Sequence, residues 1–443
     1  MVAPLKVGIA GLGTVGAEVV RLIEQQGRAL SARSGRGVRV VAVTARSKAK
    51  KRGVDLAGIA WAKNALELAN DPGIDCFAEL MGGSGDPALS AIEAALKSGK
   101  SVVTANKALI ARHGLRLAKW AEQHGGALNF EAAVGAAIPV IKTLREGLSG
   151  TGINRVYGIL NGTCNYILTR MEQEGLSFAE CLKDAQRLGY AEANPSFDVD
   201  GHDTAQKLAI LASLAFGTKV AQNAVYVEGI SSIKPEDLRA AEELGFRVKL
   251  LGVAVRTAKG IEQRVHPTMV PKSSSIAQVM GVTNAVTIDG EGIPPITLVG
   301  PGAGGAATAS AVVADIVDVA RGIRAMPFGR PVARLRATSK APMERHEGGY
   351  YIRLMARDLA GTAATIATRL AQQKISIESI VQRHPDGVDA MTAKGKMAAN
   401  ASPVPVILIT YATSEDAVHR ALEAVQRDKV ISGRPQVIRI EKN

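Results

Sequence analysis

Residues 5–27, LKVGIAGLGTVGAEVVRLIEQQG, decide the fold of the first part of the chain. A short apolar run leads into a glycine-rich turn, and apolar residues at helical spacing follow, so the stretch predicts a strand, a tight turn and an amphipathic helix. Gly11, Gly13 and Gly16 form the pattern GxGxxG. Such glycines allow a pyrophosphate to approach the backbone, and the helix start offers amide donors. The stretch therefore predicts a dinucleotide site. The other turn residues expected to contact the cofactor are Thr14 and Val15.

Strands and helices continue to alternate through the first 130 residues. The apolar runs VRVVAVTAR, DCFAELMGG and SVVTANKALI are separated by helical patterns such as DPALSAIEAALKSGK. This alternation predicts right-handed crossovers and a doubly wound, mainly parallel sheet. We expect a Rossmann domain over residues 1–130, completed by a helix at 306–325.

Two further domains are expected, giving an α/β protein overall. Residues 131–305 mix long helical patterns with short strands, which predicts an α+β domain for substrate binding and dimerisation. Residues 331–349 lack apolar periodicity and are interpreted as a linker. Residues 350–443 follow the order βαββαβ, with a polar insertion at 386–403, which is typical of a ferredoxin-like sandwich.

The composition limits the class of protein. A net charge of +13 indicates an anionic ligand. Basic residues are spread along the chain and aromatic residues make up only 4%, so we expect small phosphorylated or carboxylated ligands rather than nucleic acid. No apolar run reaches the roughly 18 residues that cross a bilayer, and no secretory signal is evident, so no membrane association is expected. Three widely separated cysteines suit a reducing, cytoplasmic location.

The second strand lacks the acidic residue that usually binds the ribose hydroxyls of NAD. Residues 40–53, VVAVTARSKAKKRG, instead carry Arg46 and Lys48 at its end. A guanidinium binds a 2′-phosphate through paired charge-assisted hydrogen bonds, whereas a carboxylate would repel it. We therefore expect NADP(H) to be preferred over NAD(H), the alternative being a solvated basic loop. For three basic residues we adopt that alternative: Lys50, Lys51 and Arg52.

Residues 188–211, LGYAEANPSFDVDGHDTAQKLAIL, carry the densest set of acids and bases. Asp203 and Lys207 are four residues apart, and hence lie on one face of a helix. The helix continues with apolar residues nearly all round, which indicates burial. A lysine at the entrance of such a helix can act as a proton donor. Upstream acids would suit a substrate ammonium group: Glu192 and Asp198. We interpret Asp200 as part of a polar loop.

Three other features are less specific. Lys107 follows the carboxyl end of a parallel strand, where ligands bind in open α/β sheets, although a surface role is an alternative. Glu131 lies among small residues in a bend that could bind a hard monovalent cation through backbone carbonyls, or could simply be a structural turn. Residues 296–317 begin with a second glycine-rich turn, which either faces a ligand or permits close packing.

Taken together, these motifs resemble those of bacterial homoserine dehydrogenases of the monofunctional type with a C-terminal ACT domain. The resemblance covers nearly the whole chain and rests on GLGTVG, TANKALI, FEAAVGAAIPV, LNGTCNYIL, LGYAEANPSFDVDGHDTAQKLAIL and GPGAGGAATAS. It implies reduction of L-aspartate 4-semialdehyde to L-homoserine with NAD(P)H, a step towards threonine, methionine and isoleucine. The alternatives are another NADP-linked semialdehyde reductase and a non-catalytic amino-acid sensor.

The resemblance also assigns roles to residues. Lys207 is implied as the general acid, Glu192 and Asp203 as substrate-binding residues, and Lys107 as a lysine near both cofactor and substrate. Two backbone positions are implied near the nicotinamide: Gly189 and Gly304. A sodium site is implied at Glu131 and the carbonyls of Val134, Ala136 and Ile138, with alanine at 136 where the family usually has glycine. An ACT domain implies either L-threonine as an effector or a role in assembling a homo-oligomer, a dimer or tetramer.

Overall fold

The computed structural model describes residues 2–338, 340–343, 346–357, 359–382 and 403–441. The polar insertion expected at 386–403 lies outside these ranges, apart from its last residue. Within them, no helix combines the length and apolar character that crossing a membrane requires.

The first part of the chain forms a six-stranded parallel sheet. Its strands are β1 (Leu5–Ala10), β2 (Val38–Thr44), β3 (Ala60–Trp61), β4 (Cys76–Glu79), β5 (Ser101–Thr104) and β6 (Leu128–Asn129). They lie in the order β3-β2-β1-β4-β5-β6. The connecting helices are α1 (Thr14–Ser34), α2 (Ala65–Asn70), α3 (Ala88–Lys97) and α4 (Lys107–His124). Alternate residues of β4 enter separate cores on the two faces of the sheet, as expected for a doubly wound fold. The strand order reverses beside β1, which is where such sheets bind ligands.

The middle of the chain forms a mainly antiparallel sheet, against which several of its helices pack. The helices are α5 (Val140–Lys142), α6 (Gly162–Glu174), α7 (Phe178–Arg187), α8 (Ser196–Val199), α9 (His202–Phe216), α10 (Pro235–Glu243) and α11 (Gly305–Ala320). The strands are β7 (Ile153–Ile159), β8 (Tyr226–Val227), β9 (Phe246–Thr257), β10 (Gly260–Pro271), β11 (Thr283–Gly290) and β12 (Ile296–Pro301). Every residue of α9 after His202 is buried, as its all-round apolar sequence predicts.

Helix α11 returns to the first domain and packs against α1. Ala309, Val312 and Ile316 share a core with residues of β1 and α1. The helix ends at Ala320 rather than at the expected 325, because Gly322 adopts a φ of 79° and leaves the helical conformation.

The last part of the chain has the predicted ferredoxin-like order. Its elements are β13 (Glu347–Ala356), α12 (Thr362–Gln372), β14 (Ile377–Gln382), β15 (Val404–Thr410), β16 (Thr413–Ser414), α13 (Glu415–Arg427) and β17 (Ile431–Ile440). The sheet order β17-β13-β15-β14 is antiparallel throughout. Strand β17 also pairs in parallel with β10, through Thr268 with Arg439 and Met269 with Ile440. The middle and C-terminal sheets are therefore one continuous 11-stranded sheet, which the sequence did not predict.

Candidate active site

The glycine-rich turn after β1 contains glycines that are needed for two different reasons. Gly11 has a φ of 101°, and a Cβ there would lie 2.5 Å from the carbonyl oxygen of Leu80. A Cβ on Gly16 would lie 2.0 Å from the carbonyl oxygen of Gly11. Both glycines are thus required by the protein's own packing. A Cβ on Gly13 would have nothing within 4 Å, so the start of α1 is open at this point and fits a pyrophosphate.

The basic loop after β2 contains exposed and anchored cations. Arg46 and Lys48 are exposed beyond the end of the strand. Arg52, in contrast, donates from Nε to the carbonyl oxygen of Leu12 in the glycine-rich turn, at 3.1 Å. Its guanidinium also lies 5.5 Å from the centre of the Trp61 ring. Our interpretation of Arg52 as part of a solvated loop is therefore wrong, because its side chain joins the loop to the dinucleotide turn.

A cleft of about 810 Å³ opens beside the carboxyl ends of β1, β4 and β5 and is closed from the other side by α6 and α9. Many residues singled out in the sequence line it: Val15, Lys107, Val134, Ala136, Gly189, Glu192, Asp198, Asp203, Lys207 and Gly304. The adjoining turn contains Gly11 and Gly13 and leads into the first turn of α1, which contains Thr14 and Gly16. The loop after β2 carries Arg46 and Lys48. The sites expected for cofactor and substrate are thus neighbours.

Asp203 lies at the centre of the charged groups in the cleft and is only 3% exposed. Lys207 donates from Nζ to Asp203 Oδ2 at 2.8 Å and to the carbonyl oxygen of Leu160 at 2.7 Å. Lys107 Nζ lies 3.0 Å from Asp203 Oδ1. Burial alone would raise the pKa of Asp203, but the two ammonium groups outweigh it and hold that pKa far below its ordinary value. One ionised carboxylate therefore holds two lysines.

Asn161 connects Asp203 to a second carboxylate. Its Nδ2 donates to Asp203 Oδ2 at 2.9 Å and to Asp198 Oδ1 at 2.7 Å. Burial raises the pKa of Asp198 in spite of that hydrogen bond. Asn161 is not among the residues predicted from the sequence. The available signal was an asparagine directly before the helical pattern of LNGTCNYIL, a position that favours an N-cap.

The start of α4, which carries Lys107, is fixed by a buried network. Asn106 caps the helix by accepting the amide of Leu109 at 3.1 Å, and it donates to the carbonyl oxygen of Gly83 at 2.7 Å. Glu79, at the end of β4, accepts the hydroxyl of Thr104 at 2.7 Å. Glu79 also accepts two backbone amides of the following loop, which lines the cleft. This network was also missed, since it depends on contacts between separate strands.

Three other predicted residues line the cleft and leave space for a ligand: Glu192, Gly189 and Gly304. Glu192 is exposed at the cleft, and its backbone carbonyl accepts the side-chain amide of Gln186 at 3.1 Å. Gly189 and Gly304 have φ values of 77° and 110°, and a Cβ on either would meet nothing within 4 Å. A Cβ on Gly305 would instead lie 2.7 Å from Thr14 Cγ2. The second glycine-rich turn thus faces the cleft and also permits close packing on α1.

Glu131 begins a short 3-10 helix, Glu131–Ala133, and is 3% exposed. Its two carboxylate oxygens accept the amides of Ile141 and Lys142, each at 2.8 Å. Burial, together with the nearby carboxylate of Asp315, raises the pKa of Glu131 to about 7. Ala136 has a φ of 47°, a left-handed conformation that favours glycine.

Carboxylate and carbonyl oxygens are the ligands that a hard cation prefers, and Glu131 supplies the carboxylate of the expected sodium set, although both of its oxygens accept backbone amides. In the part of the chain that the structure describes, no group of three or more histidine, cysteine, aspartate or glutamate residues is arranged to hold a metal.

Two family models match the chain. The model described as homoserine dehydrogenase, NAD binding domain matches residues 11–131, and the model described as homoserine dehydrogenase matches residues 139–317. A homoserine dehydrogenase of Pseudomonas aeruginosa is 42% identical over 446 residues, and one of Neisseria gonorrhoeae is 40% identical over 444. Both alignments cover 99% of this chain and 99% of the relative.

Solved structures agree with these matches. The crystal structure of a homoserine dehydrogenase from Thiobacillus denitrificans superposes with a TM-score of 0.91 at 40% identity, covering 99% of this chain and 98% of that one. A hyperthermophilic archaeal homoserine dehydrogenase in complex with NADPH gives a TM-score of 0.63 at 26% identity, covering 73% of this chain and 99% of that one. The chain therefore belongs to the homoserine dehydrogenase family and is an NAD(P)-dependent oxidoreductase that acts on a CH–OH group.

Proposed function

We propose that this enzyme interconverts L-aspartate 4-semialdehyde and L-homoserine with Lys207 as the general acid and base. The observation that carries the proposal is the pair of ammonium groups, Lys207 and Lys107, held by the single buried carboxylate of Asp203. A bound nicotinamide supplies or accepts the hydride at C4 of the substrate. Lys207 gives a proton to the aldehyde oxygen as negative charge develops there, and the same amine takes the proton back in the oxidation. Lys107 adds positive charge beside that oxygen.

The amino end of the substrate would lie at the acidic side of the cleft. Glu192 and Asp198 both line the cleft, and an ammonium group is the natural partner of two carboxylates. Asp198 is tied to the lysine cluster through Asn161, whereas Glu192 is exposed and free to adjust to a ligand. The substrate would therefore span from the lysines to these two acids.

NADP(H) is the proposed preferred cofactor. The support is the absence of an acid at the end of β2, the exposure of Arg46 and Lys48 beyond it, and the anchoring of their loop to the dinucleotide turn by Arg52. The archaeal relative was solved with NADPH, which agrees with this preference. Arg46 and Lys48 would contact the 2′-phosphate.

Replacing Arg46 by alanine tests the cofactor preference. Loss of a charge-assisted contact should raise KM for NADPH by about tenfold or more and leave KM for NADH nearly unchanged. Lys50→Ala, in the same loop, is the matched control and should change neither value. KM is measured for both cofactors in reduction of the semialdehyde. Equal increases for NADPH and NADH would contradict the proposal.

Other proposed properties rest on the remaining parts of the chain. Sodium would be held by the Glu131 carboxylate and the carbonyls of Val134, Ala136 and Ile138, where it would stabilise the turn before α5.

The C-terminal ferredoxin-like unit would act as an ACT domain that binds L-threonine or joins subunits into a dimer or tetramer. Three free cysteines suit a cytoplasmic enzyme of threonine, methionine and isoleucine synthesis. Homoserine oxidation assayed with and without threonine, and with sodium replaced by a larger cation, tests these points.

A further inference from the structure

Asn161 contacts two carboxylates of the cleft, Asp198 and Asp203. It lies between β7 and α6 and is 5% exposed. Its Nδ2 donates to Asp198 at 2.7 Å and to Asp203 at 2.9 Å. Its Oδ1 accepts the amide of Cys164 at 2.8 Å and so caps α6. The carbonyl oxygen of the preceding residue accepts Lys207 Nζ at 2.7 Å.

We infer that Asn161 is a positioning residue for the reaction, whose amide group fixes the Asp198 and Asp203 carboxylates relative to each other and to Lys207. The inference goes beyond the proposed function and rests on it for the roles of Lys207 and Asp203. Asn161 itself need not touch the substrate.

The chemistry of the site suits asparagine at this position. Two neighbouring carboxylates repel each other, and an amide has two N–H donors that can serve both without adding charge. The same side chain must also offer an acceptor to the helix N-terminus, and asparagine has one. Since the cap needs the oxygen and the two acids need the nitrogen, the hydrogen-bond network fixes the orientation of the amide. Serine could keep the cap but has only one donor, and aspartate would add a third carboxylate.

Loss of the bridge should alter how activity depends on pH. The titratable groups beside Asp198 come from α9, α4 and α6: Asp203, Lys207, Lys107 and Cys164. Glu192, in the loop before α8, lines the same cleft. Burial raises the pKa of Asp198, and the hydrogen bond from Asn161 opposes that rise. Without the bond the pKa rises further, so Asp198 becomes protonated at a higher pH. Binding of a substrate ammonium would then fail at a higher pH.

The test compares two asparagine-to-serine changes at helix N-caps. Asn161→Ser keeps an N-cap acceptor but loses the double bridge. Asn64→Ser is the matched control, because Asn64 caps α2 by accepting the amide of Glu67 at 2.8 Å and does not line the cleft. kcat and KM are measured for semialdehyde reduction between about pH 5 and pH 9 at saturating NADPH, together with thermal unfolding midpoints. Reduction is chosen because Lys207 acts as the acid in that direction, and the acid limb of the profile then reports on Asp198.

The inference predicts a specific pattern. Asn161→Ser should lower kcat/KM by about ten- to a hundredfold and move the acid limb, the fall of kcat/KM at low pH, to higher pH. NADPH binding should not change, and Asn64→Ser should behave as wild type. Asn161→Asp keeps the size and the cap but adds a carboxylate, so its loss and its shift should be larger. In an Asp198→Asn background the acid limb should no longer respond to Asn161→Ser.

Three results would overturn the inference. One is a loss of kcat/KM that is equal at every pH, which is what a general disturbance of the structure around α6 would give. The second is unchanged activity in Asn161→Ser. The third is a limb that still shifts in the Asp198→Asn background. Failure of the proposed function would look different, because Lys207→Met would then keep its activity whatever residue stands at 161.

Discussion

Replacing Asp203 by asparagine should destabilise the folded protein as well as impair the reaction. The carboxylate is 3% exposed and interacts with three groups: Lys207 at 2.8 Å, Asn161 at 2.9 Å and Lys107 at 3.0 Å. An asparagine side chain has one acceptor oxygen for these three donors. Its own NH₂ group would have to face another donor, because all three partners are N–H groups. The variant therefore leaves both ammonium groups without a counter-charge, and Lys207 keeps only the carbonyl oxygen of Leu160 and one amide oxygen as acceptors.

The size of the effect follows from how deeply each lysine is buried. Removing one partner of a buried ion pair costs about 3–5 kcal/mol. The Lys107 side chain is 34% exposed, so solvent screens its contribution, and we take the lower end, about 3 kcal/mol. For a domain of the length expected at residues 131–305, a loss of about 3 kcal/mol lowers the unfolding midpoint by roughly 6–12 °C.

The stability difference between wild type and Asp203→Asn should change with pH in a definite direction. The folded-state pKa of Asp203 lies below its ordinary value of 3.8. Its stabilising contribution is therefore fully present above that value and is lost as the pH falls through the folded-state pKa. The difference in midpoint between wild type and Asp203→Asn should be largest near neutral pH and should shrink in acid.

Thermal unfolding of the cofactor-free protein at several pH values is the assay. Asp200→Asn is the matched control, because that carboxylate is exposed at the end of α8. A midpoint for Asp203→Asn that equals that of the control near neutral pH would refute the reasoning. So would a difference that grows as the pH falls.

Two further predictions concern the dinucleotide turn and the C-terminal sheet. Gly16→Ala should lower the unfolding midpoint, because its Cβ would lie 2.0 Å from a carbonyl oxygen, whereas Gly13→Ala should fold normally and raise KM for both cofactors. Calorimetry and steady-state kinetics on the two variants check this, and equal stability of both would contradict it. Arg439→Met should cost about 3 kcal/mol of unfolding free energy, because it leaves the buried Glu415 and the partly exposed Glu228 without their guanidinium. Arg434→Met, at an exposed position of the same strand, should cost little in denaturant unfolding, and similar losses in the two variants would exclude a special role for Arg439.

Features that depend on neighbouring residues were predictable from the sequence. The strand, turn and helix at 5–27 form as expected, because glycine spacing and apolar periodicity act within a few residues. The contact of Asp203 with Lys207 follows from helical spacing alone. The ferredoxin-like order also emerged, because each of its strands and helices has its own periodic pattern.

Contacts between distant segments were not predictable in this way. The ion pair of Lys107 with Asp203 requires α4 to pack beside α9. Arg52 reaches the dinucleotide turn only because its loop folds back over Trp61. The two sheets are joined where Arg439 and Ile440, at the end of β17, pair with β10. A stretch of two residues is too short to show a periodic pattern in the sequence. Local patterns specify which face of an element is apolar but do not specify which distant surface covers it.

The role of Lys207 as the proton donor can be tested most directly by the kcat of Lys207→Met in semialdehyde reduction. Methionine keeps much of the length of the side chain and removes the ammonium group. Lys183→Met, at an exposed position of α7, is the matched control. We predict that kcat falls by about 10²–10⁴ in Lys207→Met while the dissociation constant of NADPH stays within the error of wild type. A kcat close to that of Lys183→Met would contradict the account.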